Sequence, residues 1–125
     1  MGIKTFEDLE VYQKAFDLSI DIHKASLEFP KIEQFALSSQ IRRASKSICA
    51  NIAEGYSKQF DSNAEYKRFI LIALGSANEM LVWLSYADRL GYIKNDQVKT
   101  YKDNYLTICK MLKSLHQSRT KLDSK

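Results

Sequence analysis

Residues 40–55 read QIRRASKSICANIAEG, from Gln40 to Gly55. Together with Leu37, the apolar residues Ile41, Ala44, Ile48 and Ile52 recur at the spacing of one face of an α-helix. Polar groups of particular kinds lie on or beside that stripe: Gln40, Arg43, Ser47, Asn51 and Glu54. An ordinary surface helix places interchangeable Lys and Glu away from its core. Here Arg43, Ser47 and Asn51 follow one another at i, i+4 next to the apolar face, which predicts a polar seam at a helix–helix or subunit contact. Each group in such a seam needs a partner, because burying one unpaired costs about 1–3 kcal/mol. The stretch decides a fold and points to no reaction.

Working outward, the pattern predicts four helices and no linker between domains. The first runs from about Leu9 to Glu28, with Thr5 or Asp8 as its cap and acidic residues in its first turn, where the helix dipole favours them. It carries two apolar stripes, more than one partner helix needs, and Phe29-Pro30 ends it. The second runs from about Ala36 to Glu54, with Gly55 expected as its C-terminal stop. After the loop 56–61, Ser62-Asn63-Ala64-Glu65 reads as a capping box opening the third helix, which ends near Leu90 with Gly91 as its stop. From Phe69 to Leu84 this helix is apolar on nearly every side, so it must be buried on nearly every side. A bundle helix normally keeps one wet face. The third helix is therefore expected to make a subunit contact, with Gly75 and Ser76 allowing close backbone approach. Asn95 is the expected cap of the fourth helix, which runs to about Leu122 with a stripe from Val98 to Leu115 and lysines on its other faces; Asp123 to Lys125 are expected to fray.

Length and composition bound the class. The 125 residues fit one domain, 1–125, long enough for a real core. One Pro and four Gly are too few for the turns of an all-β fold. No run of eighteen apolar residues predicts a membrane span, and the N-terminus MGIKTFEDLE has no apolar signal core. Phe6 stands where a myristoylation signal wants Ser or Thr. Cys49 and Cys109 sit inside helical patterns without a CxxC partner, and read as reduced core residues of a cytoplasmic protein. The net charge of +4 is uneven: −3 over residues 1–30, +2 over 31–93 and +5 over 94–125. An acidic first helix and a basic last helix could attract each other, within the chain or between copies. Alternatively, the last helix offers a surface to a polyanion.

The ordered set FEDLEVYQKA, FP with Glu33, Leu37, QIRRA, Ser47-Ile48, NIAEG, Gly75-Ser76 with Glu79, and GYI at 91–93 resembles a bacterial family. It is similar to the four-helix-bundle proteins encoded in intervening sequences of large-subunit ribosomal RNA genes. These in turn are similar in fold to the accessory variability determinant proteins of diversity-generating retroelements. The resemblance spans roughly residues 6–115. It implies an all-α, antiparallel up-down four-helix bundle, a ring-shaped homopentamer, and no known catalysis. The retroelement relatives bind nucleic acid and associate with a reverse transcriptase. Many family members carry Pro where this chain has Cys49, so here the cause of a kink in the second helix is missing.

Enzymatic alternatives find no residues. A di-iron bundle needs Glu-x-x-His pairs, but Ile20 stands three before His23 and Lys113 three before His116. Two Cys and two His scattered along four helices make no zinc site, and His23 reads as a packed, hydrogen-bonded histidine. No phosphate loop or Ser-His-Asp arrangement stands out, so no catalytic, metal or cofactor residues are assigned.

The candidate nucleic-acid contacts are Arg42, Arg43 and Lys46, extended by Lys58, Lys67 and Arg68 around the loop after the second helix. The structural alternative pairs Arg43 with Glu54, Glu79 or a neighbour's acid and leaves Arg42 and Lys46 solvated. Gln40, Ser47, Asn51, Glu54, Gly55, Gly75, Ser76 and Glu79 are assigned to the structural motif, with Asn51 and Glu54 as acceptors facing Arg43 and Ser47. Tyrosines such as Tyr56, Tyr66, Tyr86, Tyr92, Tyr101 and Tyr105 could stack on unpaired bases, but at helical spacing they read as bundle or interface residues. Two functions remain: a non-enzymatic homo-oligomer that binds RNA or DNA through basic patches, or an accessory scaffold docked on an RNA-handling or reverse-transcriptase partner.

Overall fold

The computed structural model describes residues 2–123, with side chains through Thr120. Ser124 and Lys125, expected to fray, lie outside the described residues; Asp123 is still helical. Four helices, α1 (Glu10–Leu27), α2 (Leu37–Lys58), α3 (Asn63–Arg89) and α4 (Asn95–Asp123), follow one another with short connections. Each packs closely on its two neighbours, α1 on α2, α2 on α3, α3 on α4 and α4 on α1, while the backbones of the diagonal pairs stay further apart among the described residues. That is the square of an antiparallel up-down four-helix bundle. The core runs through its centre from Phe29, Ile41 and Val98 at one end to Val11, Ile52, Ile70 and Leu112 at the other. Each fully buried aliphatic side chain contributes about 1.5–3 kcal/mol relative to exposure. Buried serines let the helices approach closely. Ser19, Ser26 and Ser45 donate to the backbone carbonyls of Phe16, His23 and Arg42, three residues back, so none is left unpaired.

The helix ends correct several expectations. Thr5 and Asp8 form a reciprocal capping box, but around a 3₁₀ turn at Phe6–Asp8; α1 itself starts after Leu9 with no side-chain cap. Ser62 Oγ accepts from Glu65 N at 3.2 Å, while the Glu65 carboxylate turns to Arg68. Only half of that expected box is therefore seen. Asn95 is the first residue of α4, and its amide donates to the Asp88 carboxylate. Gly91, at φ 77°, closes α3 as expected: its N–H reaches Asp88 O and the Tyr92 N–H reaches Ala87 O, the paired bonds of a Schellman end.

Gly55 does not stop α2, which continues one more turn to Lys58. It is buried against α3, where an added Cβ would stand 3.2 Å from Phe69 Cβ and 3.4 Å from Tyr66 O. The residue marks a close helix crossing, and α2 passes through Cys49 unbroken.

Among the described residues no ion pair joins acidic α1 to basic α4, the contact that one of the two readings of the charge asymmetry called for. The ion pairs described are Arg43–Glu79, across α2 and α3, and Glu65–Arg68 within α3.

Candidate functional site

The α2–α3 seam is built as the spacing of QIRRASKSICANIAEG requires. The Arg43 guanidinium donates to Gln40 Oε1 at 3.0 and 3.2 Å and pairs with Glu79 Oε2 on α3. Trp83 Nε1 donates to that same Glu79 oxygen at 2.8 Å. One turn further along, Ser76 Oγ donates to Ser47 Oγ at 3.0 Å, and Asn51 Nδ2 donates to Ser47 O and Oγ at 2.8 and 3.0 Å. Asn51 is thus a donor to Ser47, not an acceptor. Of the three partners open to Arg43, the structure selects Glu79. Glu54 is exposed on α2, outside these bonds.

Arg42 is not solvated. It reaches back to the end of α1, donating to Ser26 Oγ at 2.8 Å, Gln34 Oε1 at 3.3 Å and Gln34 O at 3.0 Å. Gln34 Nε2 donates to the carbonyls of Ser26 and Phe29, and Ser38 Oγ also donates to Ser26 O. The last carbonyls of α1 are orphaned by the end of the helix, and this network satisfies them. Sequence reasoning missed Gln34 and Ser38; their nearest signal is Phe29-Pro30, which ends a helix without a C-capping glycine.

Lys46 is exposed and approaches His23 Nδ1 at 3.0 Å. An ammonium can only donate, so Nδ1 is the acceptor and the proton of the neutral imidazole is on Nε2. Partial burial, then the charges of Lys46 and Arg42, hold the His23 pKa below its ordinary value.

Around the α2–α3 loop, Arg68 pairs with Glu65 and lies over the Phe69 ring at 4.4 Å. Lys58 and Lys67 are half-exposed nearby. The six candidate cations therefore fall into two groups. Arg42, Arg43 and Lys46 lie toward the α1–α2 loop, and Lys58, Lys67 and Arg68 at the opposite end. On α4, Lys99, Lys110 and Lys113 are exposed along one face, whereas Lys102 donates to Ser85 Oγ and Arg119 stacks on Tyr66 and donates to Gln59. Of the tyrosines, Tyr66, Tyr101 and Tyr105 are core residues, and the buried Tyr105 hydroxyl has no hydrogen-bond partner among the described residues. Tyr92 donates to Glu33 at 2.7 Å, and Tyr86 is exposed beside Trp83.

Among the described residues, no group of three or more His, Cys, Asp or Glu could hold a metal. Cys49 and Cys109 are free and buried, and burial pushes the Cys49 thiol up to about 11.

A further surface feature is apolar. Along the outside of α3, Leu71, Ile72, Val82 and Tyr86 are 48%, 39%, 52% and 53% exposed. Gly75 lies among them with open space around it. Although no span was expected, α3 is long and apolar enough to cross a membrane by length and composition, with mean hydropathy 1.4 and 33% of its most apolar window buried inside the bundle.

These features define a four-helix bundle with a hydrogen-bonded α2–α3 seam and a bare apolar ridge. The chain matches the 23S rRNA-intervening sequence protein family over residues 7–114, and it belongs to that family. It is similar to a crystal structure from Bacteroides thetaiotaomicron, described as a protein of unknown function from the S23 ribosomal protein family. The two are 30% identical with a TM-score of 0.76, over 86% of this chain and 95% of the other. A search among curated proteins gives no match.

Proposed function

We propose that this chain is a non-enzymatic, homo-oligomeric scaffold of the cytoplasm that presents basic surfaces to RNA or DNA. The observation that carries it is the ridge of Leu71, Ile72, Val82 and Tyr86, which the bundle leaves in water. Large apolar side chains left exposed along one helix face mark interaction sites, and a second copy is the partner always available. Five copies is the number the family resemblance implies. Repeating a +4 chain around a ring turns weak cationic patches into a multivalent field.

The seam residues support a structural role for the family motif: Arg43, Ser47, Asn51, Ser76 and Glu79 spend their hydrogen bonds on one another. Arg42 is tied down and Arg43 and Arg68 are paired, which moves the nucleic-acid reading toward the exposed Lys99, Lys110 and Lys113 of α4, with Lys46 and Lys58 at the periphery.

The test combines light scattering with retention of labelled RNA as salt is raised. The expected result is an oligomer whose RNA binding falls steeply with salt, through counterion release, and is lost in Lys99→Glu/Lys110→Glu/Lys113→Glu. A monomer would overturn the scaffold. An oligomer indifferent to that charge reversal would favour the second reading, an accessory subunit docked on an RNA-handling protein. Phe60, 86% exposed on the α2–α3 loop, is the observation in its favour.

A further inference from the structure

We infer that copies of this chain join through two different faces, the outer ridge of α3 on one copy seating in the α1–α2 groove of the next at the same height along the bundle. This rests on the homo-oligomeric reading above and adds which surfaces meet.

The groove is an open trough of about 290 Å³ between α1 and α2. Its floor is small, from Cys49, Ala50 and Ala53, and its wall is large, from Tyr12, Phe16 and Ile20. Phe16 and Ile20 are 44% and 40% exposed. The ridge and the groove lie on different helices. A contact of α3 with α3 would cover the ridge and leave the groove wet. Ridge in groove covers both with one repeated contact.

The heights agree. Ser47 meets Ser76 and Arg43 meets Glu79, which fixes α2 against α3. His23 meets Lys46 and Ser26 meets Arg42, which fixes α1 against α2. Carried through, Phe16 stands level with Ile70, Ile20 with Leu74 and Leu27 with Leu81. Copies related by rotation about an axis parallel to the bundle meet at equal height. Phe16, Ile20 and the exposed Leu27 of one copy then face the segments around Leu71, Gly75 and Val82 of the next. At the top, Ile32 and Phe35, 85% and 98% exposed, lie at the same end of the bundle as Tyr86 and Leu90, since Tyr92 joins Glu33 there. The open space beside Gly75 leaves room for Ile20 to approach the α3 backbone.

Charge favours the same pairing. Arg68 and Arg89 are both exposed and stand equally far from the centre of the Leu71–Tyr86 ridge. Antiparallel self-pairing about that centre sets Arg68 against Arg89 at both ends, and parallel self-pairing sets each against itself. Glu65 offsets the Arg68 charge, so like-charge opposition works mainly against the parallel self-contact, at Arg89. In the ridge-in-groove pairing, the exposed Lys46 at the groove lip stands close to the height of Glu79. Both of that carboxylate's described partners, Arg43 and Trp83, use Oε2. A contact between unlike faces leaves one free face at each end of a row of copies, so it closes into a ring or runs on as a filament.

The test uses Val82→Glu on the ridge and Ala50→Glu in the groove, both at exposed positions, with Leu71→Glu and Ile20→Glu as a second pair should either lose its helical circular dichroism. Each variant alone is expected to fall from the wild-type assembly to the mass of one chain. Mixed, the two are expected to form a one-to-one complex of two chains, because each still carries the intact face the other needs. If the groove variant assembles like wild type, or if the two variants stay apart on mixing, the pairing of these faces is wrong although the chain still oligomerises. If wild type is itself a monomer, the homo-oligomeric reading falls, and the pairing with it.

Discussion

Gly55→Ala puts the α2–α3 crossing to the test. In an exposed helix interior the exchange would stabilise by about 1 kcal/mol, since Ala is the better helix former. Here the new methyl arrives 3.2 Å from Phe69 Cβ and 3.4 Å from Tyr66 O. Neither is the far end of a flexible side chain. One is anchored directly on the α3 backbone and the other belongs to it, so relief requires α3 to move. Overpacking of this kind costs about 1–3 kcal/mol, which leaves a net loss near 1 kcal/mol. Gly55→Val adds two more carbons with a smaller gain in propensity than Ala brings, and is expected to lose about 3 kcal/mol. For a chain of this length, 1 kcal/mol corresponds to about 3–5 °C in Tm. Urea and thermal unfolding followed by circular dichroism, at one fixed protomer concentration because association adds to stability, would read both values. A Gly55→Ala protein more stable than wild type would refute the close crossing.

Three further outcomes are expected. Arg42→Ala strips partners from Ser26 Oγ and Gln34, and should cost about 1–3 kcal/mol in urea unfolding; Arg42→Lys should recover little of it, since Lys lacks the planar fork that spans both. Burial raises the Cys49 thiol to about 11 from an ordinary 9.0, so its thiolate is about a hundredfold scarcer. Iodoacetamide at pH 8 should accordingly label it at least that much more slowly in the native protein than in urea. The folded His23 pKa is lowered, so the neutral form favours folding. Its contribution is present above about pH 6.5 and is lost as pH falls through that value toward the folded pKa. A urea midpoint that drops between pH 7 and 5 in wild type, and drops less in His23→Gln, is the expected result.

Much of the fold was legible because helical periodicity repeats over many residues. The stripe from Leu37 to Ile52 and the i, i+4 row of Arg43, Ser47 and Asn51 located the seam before its partners were known. What stayed hidden depends on contacts distant in sequence. Gly55 reads as a helix stop because glycine usually ends helices, yet its role is set by Phe69 across the crossing. Arg42 reads as solvated because nothing local shows that Ser26 and Gln34 lie within reach. Glu79 could be matched with Arg43 only as one of several acids, because sequence gives no register between α2 and α3. The excess apolar surface of α3 was plain from composition, but which side stays bare is a property of the packed bundle.

That bare side is the surface on which assembly of the chain depends. Sedimentation equilibrium on the purified full chain across a range of micromolar concentrations measures it directly. The expected mass is at least twice the 14.4 kDa of one chain, and a whole multiple of it. A single species of 14.4 kDa throughout, with Leu71, Val82 and Tyr86 left in water, would contradict it.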